Sequence, residues 1–351
     1  MRNKILAAMA ALVLLLTGCR AQTPAPSAPP VDKTVFTDSL GRSVELDSQL
    51  TRVAPCGSVA QIILYTLAPE LMVGWAANPD ERARPYIPEQ YWQLPTFGQF
   101  YGKNVSLNIE ALVTAAPQVI IDMGDQKPNM AADLDGVSQQ LDLPVVFIDA
   151  TLESMPQAYR TLGRLLGREQ RAEELALYCE EALEMARLLR EETGEAGRVS
   201  AYYGTGKDGL ACNARGSIHA AVLEMVGVEN AAVVENVSQK GGGNQVDLEQ
   251  LLLWNPEVVL LSAQDSYDAV MGDPAWGQLE AVQVGRVYEI PNRPYDLLSS
   301  PPSVNRVAGL HWLAWRIYPD RYPGDIRQTL ETFYRLFYQY DLSSAELDAM
   351  L

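Results

Sequence analysis

Residues 106–121 read SLNIEALVTAAPQVII and residues 245–260 read QVDLEQLLLWNPEVVL, one pattern repeated at an offset of 139 positions. Each copy places a glutamate, Glu110 or Glu249, in the first turn of a predicted helix. A carboxylate there suits the positive end of the helix dipole. Chemistry of the opposite sign is available at Arg215, followed by Gly216 and Ser217 where a helix opens, and at Arg293, next to Pro294. A guanidinium supplies paired N–H donors and a helix start supplies free backbone N–H groups, so both positions suit an anionic ligand. The blander alternative has Arg215 pairing with a surface acid and Ser217 only capping. The two histidines, His219 and His311, fall in helical stretches and are read as structural. Cys56 and Cys212 fall in predicted loops of opposite halves, where a thiolate can face a ligand. Residues 204–209, GTGKDG, have phosphate-loop glycines without the full phosphate-binding motif. There is no Ser-His-Asp arrangement, zinc spacing or close carboxylate pair, so the residues point away from an enzyme.

The elements that position these groups alternate strand and helix. A hairpin is predicted over 35–46, a strand over 52–55, a helix over 58–67, and strands at 72–76, 119–123 and 143–149. Helices are predicted over 108–115 and 129–141. Residues 152–192 form the longest helical pattern in the chain, broken at Gly167. The alternation then resumes with RVSAYY, a helix over 217–226, the glycine-rich QKGGGNQ, helix 247–254, strand 258–261 and RVYEI, ending in helical stretches over 306–317 and 326–340. In each repeat Asn108 or Asp247 caps the helix and Pro117 or Pro256 follows its end, leading into an apolar run that reads as a buried strand. The expectation is an α/β protein of two Rossmann-like lobes joined by a long rigid helix, with an N-terminal lobe over 34–151, connecting helices over 152–192 and a C-terminal lobe over 193–351.

The whole chain sets wider bounds. Its 351 residues suffice for two cores, and its formal charge of −17 repels polyanions, which excludes nucleic acid as a partner. Arg2 and Lys4 precede an apolar run from Ile5 to Leu16 that suits the core of a signal peptide over 1–18. The run ends in Leu16-Thr17-Gly18-Cys19, which resembles a bacterial lipobox and implies lipidation of Cys19. A proline-rich stretch up to residue 33 then reads as a flexible tether, so the folded part is expected outside the cytoplasm, anchored to the cell membrane. Three cysteines remain, and no disulfide framework is expected.

RVAP at 52–55, FGQFYGKNVSLNIEALVTAAPQVII in the first half and VDLEQLLLWNPEVVLL in the second together resemble the substrate-binding lipoproteins of ABC importers for iron-siderophore, haem and cobalamin. The resemblance covers about residues 52–318. It implies a monomer with no intrinsic cofactor that traps a ferric siderophore, haem or corrinoid between its lobes. It implies delivery to a permease and its ATPase subunits, with Glu110 and Glu249 docking on permease arginines. The first-lobe entry, Pro55 to Gln61, departs from the family's usual run. Ligand contacts are expected from the loops beyond the strand ends: Cys56, Ser58, Phe100 and Tyr101 on one side, and Tyr203, Arg215, Ser217, Arg293 and Tyr295 on the other. Tyr101 or Tyr203 would serve as an axial ligand if the cargo were haem. Molybdate or tungstate held by Arg215, Arg293 and Ser58 is the alternative cargo. A chelatase or hydrolase on the same scaffold is the alternative class.

Overall fold

The computed structural model describes residues 32–102 and 105–351, with Gln264 and Asp265 described by backbone alone. The signal peptide, Cys19, the tether up to residue 31, and Lys103 lie outside the described residues.

The hairpin pairs β1 (Lys33–Thr37) with β2 (Ser43–Asp47). β3 (Val53–Cys56) leads into α1 (Ser58–Leu67), and a short α2 (Glu89–Trp92) lies in the long loop that follows. α3 (Ile109–Ala115), β4 (Val119–Gly124), α4 (Met130–Leu141) and β5 (Val145–Asp149) complete a parallel sheet of order β3-β4-β5. Two helices cross to the second half, α5 (Met155–Leu166) and the 25-residue α6 (Glu169–Thr193). There β6 (Ser200–Thr205), β7 (Ala211–Cys212), α7 (Ala221–Val226), β8 (Glu229–Asn230), β9 (Asn244–Gln245), α8 (Leu248–Trp254), β10 (Val258–Leu261), α9 (Gln264–Gly272), α10 (Glu280–Gln283) and β11 (Val287–Glu289) follow. They form a sheet of order β11-β10-β6-β7-β9, with β8 also on β6. α11 (Asn305–Ile317), α12 (Ile326–Phe333) and α13 (Ser344–Met350) close the chain.

The repeat folds as one αβ unit twice. Asn108 accepts the Ala111 N–H at 3.0 Å and Asp247 accepts the Gln250 N–H at 2.7 Å, so both side chains cap their helices. Leu112 and Leu251 are the buried anchors of the two helices, while Glu110 and Glu249 stay exposed. Helix α3 ends at Ala116 with φ 44° and α8 ends at Asn255 with φ 41°, each immediately before the proline. Strands β4 and β10 are buried along their whole length, as their apolar runs require.

The structure differs from the sequence reading at four places. Residues 72–76 make isolated bridges, Val53 to Met72 and Trp75 to Thr96, because the backbone pairs one residue at a time with two partners. The helix expected over 217–226 starts as a 3-10 turn at Ile218–Ala220. Helix α9 was absent from the expectation. Cys56 and Cys212 end strands rather than occupying loops, and both are buried.

One core cluster runs from Val53 and Ile121 through Leu162 and Leu175 to Tyr203, Trp312 and Phe337, so both sheets pack on the same helices. The C-terminal segment adds a second strap. Tyr86 packs on Tyr340 with ring centroids 4.6 Å apart, Tyr65 packs on Tyr338 at 6.2 Å, and the Trp312 indole donates to the Met350 carbonyl at 2.8 Å. A continuous core of this kind resists large lobe rotation.

Candidate functional site

Parallel strands end together. Cys56 pairs with Asp122 across β3 and β4, and Gly204, Leu261 and Glu289 align across β6, β10 and β11. The loops beyond these carboxyl ends make two walls.

The N-terminal wall is acidic and closed. The Tyr101 hydroxyl donates to Asp122 Oδ2 at 2.5 Å, and Asp122 Oδ1 accepts the Met123 N–H at 2.9 Å. Burial pushes the Asp122 carboxyl up to about 6, against the pull of Tyr101 and Lys127. The Cys56 thiol is raised well above its usual range by burial and by Asp122, which keeps it protonated and a poor metal ligand. Phe100 is buried edge-on against Phe97 and serves the core. Ser58 stands exposed at the first residue of α1.

The C-terminal wall carries a chain of buried polar groups. Tyr203 on β6 donates to Asp296 Oδ1 at 3.4 Å, and Asp296 accepts the N–H groups of Leu298 and Ser299 at 2.8 and 2.7 Å. Burial raises the Asp296 carboxyl to about 6. Ser299 Oγ lies 2.7 Å from His219 Nδ1, and burial together with the Arg306 charge lowers the histidine's pKa, so the ring is neutral at pH 7. Arg306, in the first turn of α11, is 2% exposed. Its Nη1 donates to the Ile218 carbonyl at 3.2 Å, while Nε and Nη2 have no partner among the described residues. Burial lowers its pKa, and the charges of Asp125, in the N-terminal lobe, and Glu153, at the start of the connecting segment, counter that effect. The loop is held close by Gly309, where a Cβ would stand 1.9 Å from the Leu297 carbonyl oxygen.

Farther along the same strand ends lies a cavity of about 630 Å³, lined by Arg82 and Tyr86 from the first lobe, Glu289 and Arg293 from the second, and Glu346 and Met350 from α13. Tyr295 is buried close to Tyr65 and Tyr338, and its hydroxyl has no partner among the described residues.

The structure therefore brings Cys56, Tyr101, Tyr203, Arg293 and Tyr295 to the strand ends or the loops beside them. It sends Arg215 elsewhere: its guanidinium pairs with Glu229 at 2.9 Å and donates to the Asn230 carbonyl, at the amino end of β6, because these acceptors are its nearest neighbours. Ser217 caps, accepting the His219 N–H and donating to the Ser238 carbonyl. Arg306 was not among the candidates read from sequence, and His219, read there as structural, lies buried beside it. The available signal was an arginine inside an otherwise apolar helix face, NRVAGLHWLAWRI. Among the described residues no group of His, Cys, Asp and Glu is placed to hold a metal ion, and no helix is long and apolar enough to cross a membrane.

The model of the periplasmic binding protein family matches residues 75–294. The molybdate-binding protein MolA of Haemophilus influenzae is 25% identical over 341 residues, covering 87% of this chain and 91% of that protein. Its molybdate-bound structure superposes with a TM-score of 0.72 at 20% identity, covering 88% and 99% of the two chains. An ABC transporter solute-binding protein from Sulfurospirillum deleyianum superposes with a TM-score of 0.82 at 26% identity, covering 90% and 98%. A periplasmic haem-binding protein, RhuT from Roseiflexus, has a TM-score of 0.55 at 19% identity, covering 77% and 98%. Members of this family are extracytoplasmic transport components that carry cargo, and are neither enzymes nor holders of an intrinsic cofactor. The chain belongs to the periplasmic binding protein family, as a two-lobed α/β substrate-binding protein of an ABC importer.

Proposed function

We propose that the protein captures a compact oxyanion of the molybdate or tungstate type between its lobes and hands it to an ABC permease. The observation that carries this reading is Arg306, a buried guanidinium with two unpartnered nitrogens beside a neutral His219. An unpaired buried charge costs several kcal/mol, and a bound oxyanion offsets that cost through charge-assisted hydrogen bonds. The molybdate-binding relative agrees with this reading. On the same reading Cys19 anchors the mature chain by lipid, and Glu110 and Glu249 dock on the permease.

A second reading keeps the cargo a metal chelate. It is favoured by the cavity of about 630 Å³, where Arg293 and Arg82 supply cations beside Tyr86. Equilibrium titration of the mature protein with molybdate, tungstate and sulfate, and with a ferric siderophore, haem and cobalamin, separates the two. Tight molybdate binding that is lost in Arg306→Gln and kept in Arg293→Ala supports the oxyanion. Chelate binding that depends on Arg293, with no heat from any oxyanion, supports the chelate.

A further inference from the structure

Among the described residues, the two most exposed large apolar side chains are Leu253 at 80% and Val113 at 69%. They fall one in each copy of the repeat. Val113 stands three residues after Glu110 and Leu253 four after Glu249, so each shares a helix face with its acid. Leu112 and Leu251 anchor the opposite faces, which leaves the outer face of each helix without a partner in the fold. In a parallel α/β unit the helix runs back against the strands, so both helix starts lie level with the carboxyl ends that form the cleft.

We propose that Val113 and Leu253 are apolar knobs that seat on the importer's permease beside the cations that meet Glu110 and Glu249. The inference rests on the docking reading above. Two acid-and-knob faces on one chain, one in each copy of the repeat though at offset positions, fit a partner built of two like halves, each offering a basic side chain next to an apolar hollow. The division of labour follows from physics. Exposed ion pairs contribute little once salt screens them, and act mainly on orientation and association rate. Burying an aliphatic side chain is insensitive to salt and contributes roughly tenfold or more in affinity.

The test measures binding of the mature protein to its own permease–ATPase complex in lipid nanodiscs, at low and high salt. Val113→Ser and Leu253→Ser are expected to weaken binding roughly tenfold each at both salt concentrations, mostly through faster dissociation. Glu110→Gln and Glu249→Gln are expected to slow association at low salt only. If the glutamine variants lose affinity while the serine variants match the wild type, the knobs are overturned and the docking reading stands. If no variant changes binding, both fall. If the wild type self-associates in sedimentation, and the serine variants abolish that while binding the permease normally, the knobs belong to a second copy of this chain and the proposal is overturned. The positions are exposed, so unchanged melting curves show that the variants are folded.

Discussion

On the N-terminal side the strand after the repeat helix reaches Asp122, a buried carboxyl held by Tyr101. The position 139 residues later, in the equivalent strand, is Leu261, and the polar groups of that side come from His219, Asp296 and Arg306 instead. Strand and helix are copied while the loops are not. The duplicated scaffold fixes where two walls stand, and the unrelated loops give both walls a buried carboxyl, Asp122 or Asp296, but only the C-terminal one the buried Arg306. On the oxyanion reading, the ligand is expected to sit against Arg306, with Tyr101 and Asp122 facing it across the gap.

The strongest way to break this contrast is to remove the cation. Arg306→Gln is expected to weaken oxyanion binding by about 100-fold, in line with roughly 2–5 kcal/mol for a buried charge partner. Asp122→Asn is expected to change it by less than about threefold. Calorimetric titration of the two variants checks both, and equal losses would erase the difference between the walls.

A second test asks whether the lobes are energetically separate. Leu112→Ala and Leu251→Ala empty equivalent buried sites, and each is expected to cost about 2–5 kcal/mol. The continuous core predicts one cooperative transition in denaturant for either variant. Two resolved transitions would mean that the lobes unfold independently.

The pH dependence sharpens the comparison. Asp122 and Asp296 have folded pKa values of about 6, above the ordinary carboxylate value, so the folded state binds their protons more tightly than the unfolded chain does. Their contribution to stability is greatest at low pH and is lost as pH rises through 6, amounting to about 1 kcal/mol per carboxyl between pH 5 and pH 7. His219 works the other way, because its lowered pKa costs stability as pH falls through the ordinary histidine value. His311, lowered to about 4 by burial, adds to that loss. Relative to the wild type, Asp122→Asn is expected to shift the stability difference between pH 5 and pH 7 by about 1 kcal/mol against the acid side. Chemical denaturation at both pH values measures it.

The smallest effect compares the ends of the two repeat helices. Ala116 and Asn255 both adopt left-handed backbone, which asparagine tolerates better than alanine. Ala116→Gly is expected to stabilise by about 1 kcal/mol, and Asn255→Gly by less. Thermal melts rank the pair, and a larger gain at position 255 would contradict the strain argument.

These elements also show what the sequence made legible. The caps at Asn108 and Asp247, the prolines after each helix, and the break at Gly167 are local signals, and each sits where it was read. The exposed glutamates followed from the same pattern. Arg306 was not legible, because its burial depends on residues 296–299 folding back onto α11, a contact that Gly309 permits and no short motif encodes. Arg215 misled for the same reason. A helix start beside an arginine is a sound anion pattern, but its acceptor, Glu229, arrives only through the pairing of β8 with β6.

The most direct test is anomalous diffraction at the tungsten edge from crystals grown with tungstate. The account predicts one dominant peak between the lobes, within about 4 Å of the Arg306 guanidinium, the range of a charge-assisted contact to an oxyanion. A peak beside Arg293 and Arg82 instead, or no peak between the lobes from protein that binds tungstate tightly in solution, would contradict it.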